Sequence, residues 1–180
     1  DAQKRRHLQK ILRADEIFRD ECAEMPAEFR TLQACVVHCY WEMGEWQKLQ
    51  HRTSRALKEA EERGDLFTMA TIRSGLSIQA HCMRGRPELG LELADATIEG
   101  WTGTSFDVQR YMYHVQSAFG LAYLDDVVRA HDRLEHAVKK SRSSMLAWVQ
   151  LMRAGLYQAR ALLTLARAAK EPSSRAALVK

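Results

Sequence analysis

The stretch YWEMGEWQKLQHRTSRAL at 40–57 decides the fold class. It predicts the end of one helix, a tight turn at Gly44 and the first turns of a second helix. Glycine ends a helix there because it takes a positive φ without a Cβ clash. Trp46, Leu49, Thr53, Ala56, Leu57 and Ala60 then recur at helical spacing, so the sequence predicts that one stripe of the second helix faces inward. Ala56 and Ala60 are small enough to let a neighbouring helix approach. A helical hairpin of this length cannot bury both faces alone, so further hairpins must stack on it.

Working outward, the same grammar recurs. Gly44, Gly85 and Asp125 are 41 and 40 residues apart, and Lys170 lies 45 further on. A similar pattern follows each of the first three: Trp46, Leu49, Thr53, Ala56; then Pro87, Gly90, Ala94, Thr97; then Val127, Ala130, Leu134, Ala137. A period near 40 with two helices per unit predicts an all-α fold, an α-α superhelix of three to four helical hairpins, and not an irregular bundle. The units run over about 1–25 (partial), 26–64, 65–104, 105–142 and 143–180 (partial) of a single domain. Helices are expected over 2–22, 27–43, 46–63, 66–84 and 87–98, then from Phe106, from Asp125 and over 143–169. Gly64 and Asp65 read as a C-cap followed by an N-cap, and Thr104 or Ser105 as the cap of the third hairpin. The paired acids Asp125 and Asp126 point apart on a helix and read as capping groups rather than an acid/base pair.

Composition agrees. The chain has 180 residues, enough for one domain with a sizeable core, and is 46% hydrophobic with only 9 Gly and 3 Pro. Its four cysteines (Cys22, Cys35, Cys39 and Cys82) form no CxxC pair and read as reduced thiols of a cytoplasmic protein. No apolar run predicts a membrane span or a leader. The abrupt ends at Asp1 and Lys180 read as a segment of a longer chain, whose cut ends would expose apolar helix faces and favour self-association.

The net charge of +4 is unevenly spread: from Lys139 onward nine residues are basic and only Glu171 is acidic. Arg153, Arg160 and Arg167 recur every seven residues as a basic stripe. An anionic partner would suit it, but no base-stacking aromatics interleave with the arginines, so nucleic-acid binding is disfavoured and a solvated or paired face is expected. No catalytic residue or cofactor is expected: the chain has no phosphate-binding glycine loop, kinase motif or nucleophile–base pair. Cys35, His38 and Cys39, with His81 and Cys82 in the next unit, are soft ligands that would suit zinc. The tight spacing of closed zinc sites is missing, so the cysteines read as packing groups and no metal is expected.

The run Tyr40-x3-Gly44-x-Trp46-x2-Leu49-x3-Thr53-x2-Ala56-Leu57 resembles the tetratricopeptide repeat. Leu49 and Thr53 depart from the family's small and aromatic residues there, Asp125 replaces a turn glycine, Pro87 replaces an aromatic, and the units exceed the usual length. In such arrays the first helix of each hairpin lines the concave side. The resemblance therefore implies a groove carrying Ala34, His38, Trp41 and Glu42, then Ile72, Gln79 and Met83, then Met112, Gln116 and Tyr123. The family's carboxylate clamp is absent, with Ala34 and His38 at two of its positions. A groove of Trp, Met, Tyr and Gln suits an amphipathic helix or extended peptide. Three further stretches, 56–75, 101–113 and 145–166, look like C-terminal regions of large bacterial proteins that join a serine/threonine kinase, an AAA-type ATPase and a helical arm. That resemblance implies a non-catalytic interaction or regulatory module within a signalling protein, binding a protein segment or another domain of its own chain. The alternative it leaves is a peptide- or small-ligand-sensing arm.

Overall fold

The computed structural model describes residues 2–21, 26–103, 105–171 and 173. Among them there is no strand. The helices are α1 (Ala2–Asp20), α2 (Pro26–Glu42), α3 (Trp46–Arg63), α4 (Leu66–Arg73), α5 (Ser77–Cys82), α6 (Pro87–Glu99), α7 (Val108–Tyr123), α8 (Val127–Ser141) and α9 (Gln150–Lys170), with a 3-10 turn at Met145–Trp148 before α9. No described helix is long and apolar enough to cross a membrane.

The turns that punctuate the sequence share one geometry. Gly44, Gly64, Gly85 and Asp125 all have φ between +64° and +68°. At each, the amide of the turn residue bonds back three residues and the next amide bonds back five, as in Gly44 N to Trp41 O at 3.1 Å and Glu45 N to Tyr40 O at 3.0 Å. This pairing satisfies carbonyls that the helix end would otherwise leave open. Asp125 is the only non-glycine residue with positive φ among the described residues. It occupies the turn rather than the helix, and Asp126 caps α8 by accepting from Arg129 N. Lys170 at the end of α9 donates to the Asp125 carbonyl at 2.7 Å and pairs with its carboxylate. An aspartate tolerates the left-handed region less well than glycine. Asp125→Gly is therefore expected to raise stability by about 0.5–1 kcal/mol, since the bond from Lys170 to the carbonyl survives; a lowered Tm would show that the carboxylate bridge outweighs the backbone relief.

Three expectations change. The single helix expected over 66–84 is broken into α4 and α5. Ser74 Oγ donates to Ala70 O at 2.6 Å and reaches Gln109 O at 3.3 Å, while the amides of Gly75 and Ile78 bond back only three residues. A serine that competes for backbone carbonyls beside a glycine weakens the helix here. The break also brings α7 close, since a Cβ on Gly75 would lie 3.2 Å from Met112 Cε. The long helix expected over 143–169 starts only at Gln150. Ser141, Ser143 and Ser144 each turn their hydroxyl onto a carbonyl three residues back, and Ser144 is extended. The cap of α7 is Asp107, not Ser105: it accepts from Arg110 N at 3.0 Å and from Trp101 Nε1 at 2.7 Å, which pins the preceding loop. Thr104 and Cys22 lie outside the described residues.

The core follows the helical stripes. Leu49, Thr53, Ala56 and Ala60 of α3 are buried, but Trp46 stays 41% exposed beside Gly44. The largest buried cluster joins α7, α8 and α9 through Val115, Leu121, Leu134, Val138, Leu156 and Leu163. Each helix packs on its neighbours in the chain; α2 also touches α4, α3 touches α5, α4 touches α6 and α7, α5 touches α7, and α7 touches α9. Polar groups tie the first three helices. Arg52 Nη2 pairs with Asp15 Oδ2 at 2.6 Å and donates to Gln33 Oε1 at 2.8 Å, and Gln33 Nε2 donates to Asp15 Oδ1 at 2.7 Å.

Candidate functional site

The residues expected to line one face come from α2, α4, α5 with its C-cap Met83, and α7. On α2, His38 and Trp41 are three residues apart, and their rings lie 5.5 Å apart. His38 Nε2 pairs with Glu42 Oε1 at 3.3 Å, one turn on. Trp41 meets the ring of Phe119 on α7 at 6.3 Å. Trp41, Tyr40 and Met112 pack, partly buried, on Val37, Leu49 and Leu76. Gln79 Nε2 of α5 donates to Gln116 O of α7 at 3.3 Å. So the structure brings His38, Trp41, Glu42 and Met112 into one region and links Gln79 to Gln116 within the α5–α7 seam.

Other expected members differ. Gln116 is only 3% exposed and its Oε1 is buried without a hydrogen-bond partner, so its side chain presents no amide to solvent, and its link to α5 is the backbone carbonyl that accepts from Gln79. Ile72 is core. Met83, at the end of α5, is exposed, and Tyr123, in the last turn of α7, is 57% exposed. Phe119 is a member of this region that the groove pattern does not include. Its spacing from Met112, Gln116 and Tyr123 was the available signal, since 112, 116, 119 and 123 share one helical face.

Comparison with protein-family models, curated proteins and solved structures finds no match. The chemistry of the region must therefore be read from its own groups. The thiols beside it are poor nucleophiles: burial pushes Cys35 and Cys39 up, with Glu42 and Cys35 adding to the shift at Cys39. Burial pushes Cys82 up to about 11. Among the described residues no group of three His, Cys, Asp or Glu stands close enough to hold a metal ion. What the region offers is an aromatic and thioether surface, partly exposed and edged by the His38–Glu42 pair.

The basic stripe of α9 divides. Arg160 clasps Glu135 of α8 with two bonds, at 2.6 and 3.1 Å. Arg167 pairs with Asp132 at 2.9 Å and with Glu171 at 3.0 Å, beside His131 Nδ1. These two arginines fasten α9 to α8. Arg153 alone of the three makes no ion pair among the described residues. A second polar cluster joins α6, α7 and α8. The His114 ring packs against Phe106, Tyr113 and His136, with His136 nearest at 4.8 Å. Burial pushes His114 down to about 4, helped by the positive charges of His136, Arg133 and Arg110, and its Nδ1 is buried without a partner. Tyr113 donates to Asp95, and Arg133 lies over its ring at 5.1 Å.

Proposed function

We propose that this chain is a non-catalytic protein-interaction module, a right-handed superhelix of tetratricopeptide-like hairpins that holds a protein segment against its α2–α5–α7 face. The pairing of helices supports the superhelix: α2 with α3, α5 with α6 and α7 with α8 form hairpins, and across successive hairpins α2 touches α4 and α5 touches α7. The observation that carries the binding reading is the contact of Trp41 with Phe119, flanked by His38 and Met112. Partly exposed aromatic and methionine side chains from two different hairpins converge there, the composition that anchors bound helices and extended peptides. The bound segment is a partner protein or another domain of the same chain, in the setting of a bacterial signalling protein such as a serine/threonine kinase.

Site-specific photo-crosslinking tests this. A crosslinking residue in place of Met83 or Tyr123 is expected to trap one defined protein segment, and one in place of Lys58 on α3 is not. Trp41→Ala is expected to weaken that binding by about tenfold or more. Trp41 also packs on the core, so the exposed pair Met83→Ser and Tyr123→Ser serves as the variant that spares the fold. If neither position traps a segment and the pair of substitutions changes nothing, the face is not a binding site.

A further inference from the structure

The end of the molecule formed by the last turn of α8, the 3-10 turn and the start of α9 carries a second surface. Met145 is 86% and Trp148 89% exposed, and Val149 and Leu151 beside them are also exposed. The turn packs against α8 and α9 and leaves these side chains outward. Large apolar groups grouped in this way mark a contact surface rather than the scatter normal on a monomer.

The charges around them have no counterpart among the described residues. Residues 136–170 contain no acid. Arg160, Arg167 and Lys170, further along α9, are neutralised by Glu135, Asp132 with Glu171, and Asp125. Lys139, Lys140, Arg142 and Arg153 make no ion pair among the described residues. Arg142 and Arg153 flank a cleft of about 60 Å³ walled by Leu146, Met152, Leu156 and Tyr157. Beside it α9 begins at Gln150, with Val149 at its cap position, no side-chain cap and no acidic residue in its first turn. The first amides and the positive end of a 21-residue helix thus face the same region without a built-in acceptor.

We propose that this end docks an acidic protein segment carrying aliphatic or aromatic anchors. Its carboxylates pair with Lys139, Lys140, Arg142 and Arg153 and accept from the first amides of α9. Its apolar side chains lie on Trp148 and Leu151, and one enters the cleft. A nucleic-acid duplex would use the cations but leave Met145 and Trp148 without a partner. An anionic bilayer would use both, but it has no fixed acceptors for the helix amides and no single side chain to fill the cleft. This surface is separate from the α2–α5–α7 face and does not depend on it.

The test is fluorescence anisotropy of the whole chain with a labelled helical peptide of Glu, Leu and Ala that has one leucine stripe. A matched peptide with Lys for Glu is the control. The acidic peptide is expected to bind, and to weaken by about tenfold with Arg142→Glu plus Arg153→Glu and by about fivefold or more with Trp148→Ala. Tyr123→Ser is expected to change nothing. Because Arg142, Arg153 and Trp148 are exposed, their variants should keep the wild-type melting curve. The proposal fails if the acidic peptide binds no better than its basic control, or if Trp148→Ala leaves its affinity unchanged. Tighter, variant-sensitive binding to phosphatidylglycerol vesicles or to a short DNA duplex would overturn it in favour of a membrane or nucleic-acid surface.

Discussion

Arg52→Met is expected to destabilise the α1–α2–α3 end by about 2–4 kcal/mol, because it removes the close partner of the buried Asp15 carboxylate and leaves it only Arg19, 3.9 Å away. Asp15 and Arg52 are both buried, 2.6 Å apart, and Gln33 bonds to each of them. The same loss is expected from Asp15→Leu, which strands the guanidinium. The double variant should recover most of the loss, since a buried ion pair and a well-packed apolar pair of similar volume differ little in net stability. The guanidinium also has an unsatisfied Nε, which lowers the worth of the native pair and favours that recovery. The loss should be local. The main helix partner of α1 is α2, and among the described residues its polar links to α3 include this network and the Arg19–Glu59 pair at 3.0 Å. Hydrogen exchange should therefore accelerate across α1 in the single variants while α7 and α8 keep their protection. Uniform acceleration would mean that the whole chain unfolds as one unit. Additive single losses would mean that the pair is not coupled.

Acid is expected to weaken the α7–α8 end by about 2–3 kcal/mol between pH 6.5 and pH 4. His114 stands at about 4 in the fold against an ordinary value of 6.5. Between those values the unfolded chain binds the proton and the folded chain does not. The folded state therefore has its full stability above about pH 6.5 and loses it progressively as pH falls towards 4. Around His114, Arg133 and His136 on α8 and Arg110 on α7 oppose a further positive charge, while Asp95 on α6 is engaged by Tyr113 and Arg133. His114→Phe keeps an aromatic ring among Phe106, Tyr113 and His136 and should flatten most of the slope seen in urea melts across that range. A smaller slope should persist from His81, which burial and the charges of Arg84 and Arg86 also push down. A slope unchanged in His114→Phe would place the titrating group elsewhere.

Much of the fold was legible because it is local. Gly44, Gly64 and Gly85 were readable as turns, since only glycine takes φ near +65° without strain, and the spacing carried the same reading to Asp125. The stripe Leu49, Thr53, Ala56 and Ala60 was readable because helical pitch puts those positions on one side. Trp46 shares the spacing but sits at the first position of α3, beyond the reach of the neighbouring helix, and remains exposed. The break at Ser74 and the late start of α9 were not legible. In both places serine hydroxyls take backbone carbonyls, and whether they do so depends on what packs beside them: at Ser74 the second acceptor is Gln109 O, 35 residues away.

The candidate surfaces divide in the same way. The run of residues along α2 and α7 was readable from spacing, and so was the scarcity of acids after Lys139. That Phe119 meets Trp41, that Gln116 is buried, and that Arg160 and Arg167 are clasped by α8 while Arg153 is not depend on how one helix slides and rotates against another. By itself the sequence determined that the described residues are helical, where the glycine turns fall and which side of α3 turns inward, because those follow from backbone preference and a pitch of 3.6 residues. The tertiary structure alone decided which residues of different helices meet, because contacts between helices are chosen by the packing of whole faces and not by any spacing within one of them.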